Sequence, residues 1–138
     1  MKQQIKLWLD DIRDPAKFGR IGWHWVKTYE EAIAAFDTYY VTQASLDHDL
    51  TTEQMLGHED NEKTGHDVVC WMEERGIFPE DGVHVHSANP SGARRMVAGL
   101  QAICRRNEIP ERMVTVWSAD LRRDPYPGED PYEPQWRD

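Results

Sequence analysis

Positive charge is the first thing this chain lacks. Sixteen lysines and arginines stand against twenty-five aspartates and glutamates, a formal net charge of -9. Nucleic-acid phosphates attract basic stripes, so bulk binding of double-stranded nucleic acid is not the expected role. A nucleotide or an RNA end held through a metal is compatible with the charge. Cysteine is scarce as well, with Cys70 and Cys104 the two present. Both fall in stretches of helical periodicity and read as reduced core thiols rather than a disulfide framework. No apolar run approaches membrane-spanning length. Met1 to Leu9 is too short and too polar for a secretion signal. The expectation is a cytoplasmic chain without membrane contact.

The 138 residues, 39% hydrophobic and 30% charged, fit one domain with one core. Short apolar runs read as strands at Ile5–Leu9, Trp23–Val26, Thr42–Leu46, Val83–Ser87 and Met113–Trp117. Between them lie helix signals. Thr28 caps one helix with Glu31 reaching back, and Ala32, Ile33, Ala35, Phe36 and Tyr40 follow at helical spacing. Thr64-Gly65-His66-Asp67 opens a second helix, which carries Val68, Val69 and Met72 on one side and stops at Gly76. Asn89 caps a third with Pro90 at its first position. That helix turns Met96, Val97, Leu100, Ile103 and Cys104 inward and ends by Ile109-Pro110.

Alternating strands and helices predict an α/β fold of three layers, flavodoxin-like. A central five-stranded parallel sheet is expected, with helices on both faces. The domain is expected to span 1–119. An extended, irregular tail is expected over 120–138, where Pro125, Pro127, Pro131 and Pro134 alternate with Tyr126, Tyr132 and Trp136. The polar stretch from Thr51 to Lys63 reads as a lid or a mobile loop. His24, His58 and His66 read as surface or loop residues, and the tryptophans mainly as packing residues.

Chemistry-bearing residues cluster where strands end. Asp10 and Asp11 follow the first strand, and adjacent carboxylates call for a compensating cation. Arg13 can pair with one of them or hold a phosphate by its fork. Asp14-Pro15 is turn chemistry. Asp47-His48-Asp49 follows the third strand. Asp47 is a third carboxylate for a shared metal, or a nucleophile toward phosphorus. His48 is a candidate acid or base, with Asp49 a further candidate beside it. His84 and His86 share one face of the fourth strand. His86, nearer the end, is assigned to the pocket and His84 to its support. Ser87, Asn89 and Gly92 stand at a helix N-terminus, where N–H groups and the helix dipole favour an anion. Ser91, Arg94 and Arg95 are nearby. In an open α/β sheet ligands bind beyond the carboxyl ends of the strands, so these clusters are expected to meet in one pocket.

Leu7-Trp8-Leu9-Asp10-Asp11-Ile12-Arg13-Asp14-Pro15, Asp47-His48-Asp49-Leu50, Thr64-Gly65 and His86-Ser87-Ala88-Asn89-Pro90-Ser91-Gly92 together carry a resemblance. In plan the chain resembles the receiver domains of two-component response regulators, with an acidic pair after strand 1, an aspartate after strand 3 and a Ser/Thr after strand 4. It looks still more like a divergent branch, the cyclic-phosphate-processing receiver-like domains. The resemblance implies a receiver-like fold, a divalent metal and processing of cyclic phosphates on nucleotides or RNA termini. One departure stands out. Receivers carry a lysine after strand 5, whereas this chain reads Val116-Trp117-Ser118-Ala119.

The leading expectation is a metal-dependent phosphoesterase. Asp10, Asp11 and Asp47 would hold Mg²⁺ or Mn²⁺, while His48 and His86, with Asp47, carry the chemistry. Arg13, Ser87, Asn89 and Gly92 would bind phosphate. The competing expectation is a non-enzymatic receiver or pseudo-receiver, phosphorylated at Asp47 or binding a partner. A zinc hydrolase on His84, His86 and Asp47 is the lesser alternative.

Overall fold

Alternate residues of each strand serve two different faces of the sheet, and those faces are unlike. Residues 2–50 and 63–117 are described in this computed structural model. Strands β1 (Gln4–Leu9), β2 (His24–Val26), β3 (Tyr40–Leu46), β4 (Val83–His86) and β5 (Val114–Trp117) form one sheet. Every pairing is parallel, in the order β2-β1-β3-β4-β5. This is the doubly wound, flavodoxin-like order.

Among the described residues three α-helices connect the strands: α1 (Tyr29–Thr38), α2 (Gly65–Arg75) and α3 (Pro90–Arg106). Helix α2 packs against both α1 and α3, so the three share one face. Their crossovers all advance the same way along the sheet, and right-handed connections then fall on the same side. The β1-to-β2 connection runs the other way and carries only a 3-10 helix, Pro15–Phe18. There Trp8 stacks on Phe18 at 6.0 Å and meets Trp23 edge-on at 6.3 Å. The three layers are as expected but unequal among the described residues. One face has α-helices, and the other has a 3-10 turn with an aromatic cluster.

The main core lies beneath the α-helices. Leu7, Leu9, Ala44, Leu46, Val83 and Val85 meet Val68, Met72, Met96, Leu100 and Ile103 there. The intervening strand residues make a second row across the sheet: Trp25, Trp8, Ser45, His84 and Thr115. Two of these are buried polar side chains, Ser45 and His84. Apolar burial therefore holds one face, and hydrogen bonding must accompany burial on the other.

The helix starts follow their caps. Thr28 Oγ1 accepts from Glu31 N at 3.1 Å, and Glu31 Oε1 accepts from Lys27 N at 2.8 Å. Thr64 and Asp67 form a full capping box. Asn89 Oδ1 accepts from Gly92 N at 3.0 Å, with Pro90 at the first position of α3. Gly76 closes α2 in the left-handed region, φ 68°.

Some details differ from the sequence reading. Tyr40 opens β3 instead of closing α1, because the chain is already extended at Tyr39. Its hydroxyl donates to Glu80 Oε1 at 2.6 Å. Met113 belongs to a 3-10 turn, Glu111–Met113. Helix α3 stops at Arg106, short of Ile109-Pro110, with Asn107 as its cap. His24 lies on β2, its ring 5.0 Å from Tyr39. Cys104 is buried as expected, but Cys70 is exposed on α2, and both are free thiols. Of the loop expected over 51–63, residues 51–62, His58 among them, lie outside the described residues, as does the whole tail expected over 120–138. Among the described residues no helix is long and apolar enough to cross a membrane.

One contact fixes α2 against the end of β3. Gly65 N donates to His48 O at 2.8 Å, and a Cβ on Gly65 would lie 1.8 Å from the Asp47 carbonyl oxygen. No side chain fits there without moving backbone. Gly65→Ala is expected to destabilise the fold by roughly 2–3 kcal/mol, from overpacking against rigid backbone. Gly22→Ala, with φ +84° but nothing within 4 Å of its Cβ, should cost only about 1 kcal/mol. Urea unfolding of the two variants checks the ranking, and equal costs would remove the steric argument.

Candidate functional site

Register brings the acidic residues together. Leu9 pairs with Leu46, and Leu46 with Val85. The residues that follow, Asp10, Asp47 and His86, therefore end up side by side. Asp10 N still donates to Val26 O at 3.1 Å and Asp47 N to Leu9 O at 3.0 Å, so the ladder carries one rung further. Both carboxylates project from the rigid end of the sheet and not from a free loop.

Asp10 is fully buried and ringed by donors. Its Oδ1 accepts from the backbone N–H groups of Ile12 and Arg13, each at 2.8 Å. Its Oδ2 accepts from His86 Nε2 at 3.1 Å and from Arg13 Nη1 at 3.2 Å. Burial alone would push this carboxyl up. The His86 contact and the backbone donors outweigh it and hold the group below the ordinary carboxylate range.

Asp47 shows the opposite balance. It is 4% exposed, and its neighbour Asp10 is ionised. Burial, then the Asp10 charge, push its carboxyl up to about 8. Arg13 Nη1 at 3.7 Å and the His48 N–H at 2.8 Å oppose that rise without cancelling it. Arg13 thus stands between the two carboxylates, its side chain 29% exposed.

Asp11 completes the acidic group from a partly exposed position. One oxygen from each of Asp10, Asp11 and Asp47 can be chosen so that all lie within 4.8 Å of one another. Three hard oxygen ligands, two of them on buried carboxyl groups, suit Mg²⁺ or Mn²⁺. Among the described residues this is the one such metal-ligand group. The imidazoles expected in a zinc alternative are committed elsewhere. His84 Nδ1 meets Thr115 Oγ1 at 2.7 Å, and His86 bridges Ser45 and Asp10.

The other expected residues divide into two sets. His48, Asp49, Asn89 and Gly92 gather at the N-terminus of α3. His48 Nδ1–H donates to Asp49 Oδ1 at 2.7 Å, and Asn89 Nδ2 donates to the same oxygen at 3.3 Å. Arg95 Nη2 donates to His48 Nε2 at 3.4 Å. A Cβ at Gly92 would lie 2.6 Å from the His48 ring, so glycine lets the imidazole lie on the helix. Asn89 and Gly92 are thereby engaged in capping and packing. The second set is interior. His86 is completely buried behind Asp10, and Ser87, also buried, accepts from Asn89 N at 3.0 Å. His84 is one step further from the rim.

Three contributors were not singled out from the sequence. Ser45 Oγ lies 2.5 Å from His86 Nδ1. Trp8 stacks on the His86 ring with centroids 4.2 Å apart and planes 15° from parallel. Trp25 Nε1–H donates to the Asp10 carbonyl at 2.7 Å. Two-residue alternation was the available signal, since Ser45 shares its strand face with Asp47.

The Asp47 environment sets a pH dependence. Its folded-state value of about 8 lies above its ordinary 3.8, so folding favours the neutral acid. That stabilisation is complete below the ordinary value and is lost as pH rises through the folded value. Metal-free protein should therefore unfold more easily at about pH 9 than at about pH 5, and Asp47→Asn should flatten that slope. At the alkaline end the variant is expected to be more stable by about 1–3 kcal/mol. Urea titrations in chelator, parent against variant, measure this directly; parallel pH profiles would overturn it.

A family model described as "Cyclic-phosphate processing Receiver domain" matches residues 5–102. No curated protein matches the chain. Solved structures of receiver domains are also similar. One is a CheY-like response regulator receiver domain protein from Methanospirillum hungatei JF-1, with 10% identity and a TM-score of 0.47, covering 82% of this chain and 94% of that one. Another is a CheY-like response regulator receiver domain from Methylobacillus flagellatus, with 17% identity and a TM-score of 0.42, covering 77% of this chain and 98% of that one. The family match takes in β1 to most of α3, with Asp10, Asp47 and His86 inside it, and the chain belongs to the cyclic-phosphate-processing receiver domain family.

Proposed function

We propose that this receiver-like domain is a divalent-metal-dependent phosphoesterase acting on cyclic phosphates, of nucleotides or RNA ends. The observation that carries this is the Asp10–Asp11–Asp47 cluster, with two of its three members buried at one rim of the sheet. Asp10, Asp11 and Asp47 would hold Mg²⁺ or Mn²⁺. Bound there, the ion supplies Lewis-acid neutralisation of charge on a phosphate.

The chain's own groups divide the remaining work. Arg13 presents a planar fork beside the carboxylates and can turn it to phosphate oxygens. His48 donates Nδ1–H to Asp49, so Nε2, which accepts from Arg95 at 3.4 Å, is the ring atom that would take and return a proton once Arg95 releases it. Water adds to phosphorus, one ring P–O bond breaks, and the released alkoxide is protonated. The product is a phosphomonoester. His86 and Ser87 are enclosed, and their service to the site is through Asp10 and the Asn89 backbone.

A second reading rests on the same cluster. An aspartate at the end of β3 beside an acidic pair also suits a phosphoacceptor, so Asp47 would take phosphoryl from a small donor. The experiment separates the two. Incubation with 2′,3′-cyclic nucleotides and Mn²⁺ is expected to yield monoester, with Asp47→Asn reduced at least about 100-fold and His48→Ala about 100-fold. Parent and both variants turning over alike would end the proposal. A covalent phosphoprotein formed from acetyl phosphate, without diester turnover, would establish the receiver reading instead.

A further inference from the structure

His86 lies too deep to touch a substrate, yet it is bonded at both ring nitrogens. Nδ1 faces Ser45 Oγ at 2.5 Å on β3, and Nε2 faces Asp10 Oδ2 at 3.1 Å beyond β1. Ser45, His86 and Asp10 are each fully buried. Trp8 covers one ring face at 4.2 Å. We propose that His86 is a positioning residue for the metal ligand Asp10, its Nε2–H tautomer fixed by the Ser45 hydroxyl.

The hydrogen bonds give the direction. An ionised Asp10 only accepts, so Nε2 carries the proton. Nδ1 then accepts from the Ser45 O–H. Among the described residues four donors hold the Asp10 carboxylate. Three of them, the Ile12 and Arg13 N–H groups and Arg13 Nη1, belong to the loop that follows Asp10. The fourth, His86, comes from another strand. It ties the carboxylate to the sheet, so that its plane does not move with the loop. Such outer partners orient metal ligands and commonly change metal affinity by about 10–100-fold when removed. Ser45 acts one bond further back, on the tautomer.

This inference rests on the metal reading for its purpose but not for its hydrogen bonds, and two measurements keep them apart. Long-range ¹⁵N–¹H spectra of the metal-free protein report the tautomer. His86 should show a protonated Nε2 and an unprotonated Nδ1, and in Ser45→Ala that preference should weaken. Mn²⁺ titration by electron spin resonance reports the positioning. His86→Leu is expected to weaken Mn²⁺ binding about 10–100-fold, and Ser45→Ala about 3–10-fold. His86→Gln, whose amide N–H can reach the Nε2 position, should restore affinity to within about threefold of the parent. Near-ultraviolet circular dichroism confirms that each variant is folded. A protonated Nδ1, or equal loss in the Leu and Gln variants, overturns the proposal. Parent protein that binds no Mn²⁺ removes the metal reading and with it the positioning role, while the spectra still decide the hydrogen-bond direction.

Discussion

Two carboxylates buried side by side are the constraint from which the rest of this site follows. Asp10 and Asp47 occupy adjacent rungs at the end of a parallel sheet, and neither has appreciable access to water. Ionising both without compensation is costly. The protein resolves this unequally. Asp10 receives four hydrogen bonds and stays ionised. Asp47 receives one backbone N–H and a longer contact to Arg13, and its carboxyl is pushed up to about 8. A divalent cation reached by Asp11 from the solvent side would remove that conflict. The same strain that makes Asp47 unfavourable alone makes the cluster receptive to positive charge.

The unlike faces of the sheet serve this arrangement. One face is filled by aliphatic side chains under three helices, and it supplies most of the apolar burial that holds the fold. The other carries Trp8, Ser45, His84, His86 and Thr115, a row and a half of aromatic and hydrogen-bonding groups. Polar residues in so central a position are stable only when paired. Here the pairs run strand to strand: His84 to Thr115, His86 to Ser45 and Asp10. The interior thus provides support for the acidic rim as well as packing.

Much of this was legible from residue order, for reasons that can be stated. Strand ends, caps and the apolar helix faces depend on local chemistry, and Thr28, Thr64, Asn89 and Gly76 all act as their neighbours imply. Convergence of Asp10, Asp47 and His86 was legible because parallel pairing places equivalent strand ends on one rim. What was not legible depends on depth and direction. His86 and His48 both read as proton carriers at strand ends. One completed rung puts His86 inside the sheet, while His48, past the end of β3, turns onto α3 over Gly92. Ser45 reads as an ordinary small strand residue, because its significance appears only when β4 is laid beside it. Tyr40 followed helical spacing but starts a strand, since the helix had already ended at Thr38. Periodicity identifies a face; it does not decide where an element stops.

The source of the positive charge gives the last step. Receivers, which this chain resembles in plan, bring a lysine from the end of the fifth strand. Here β5 closes on the buried Trp117, whose backbone oxygen accepts from Ser87 N at 3.2 Å. Among the described residues a cation beside Asp47 comes from Arg13, three residues after Asp10 and hydrogen-bonded to it. A lysine is a compact point charge, whereas a guanidinium can hold one carboxylate and still offer a flat edge to a second anion. This counter-charge of Asp47 therefore belongs to the loop that follows β1. Any change of charge at Asp47 is felt first by Arg13 and Asp10, the groups beside which a phosphate would lie.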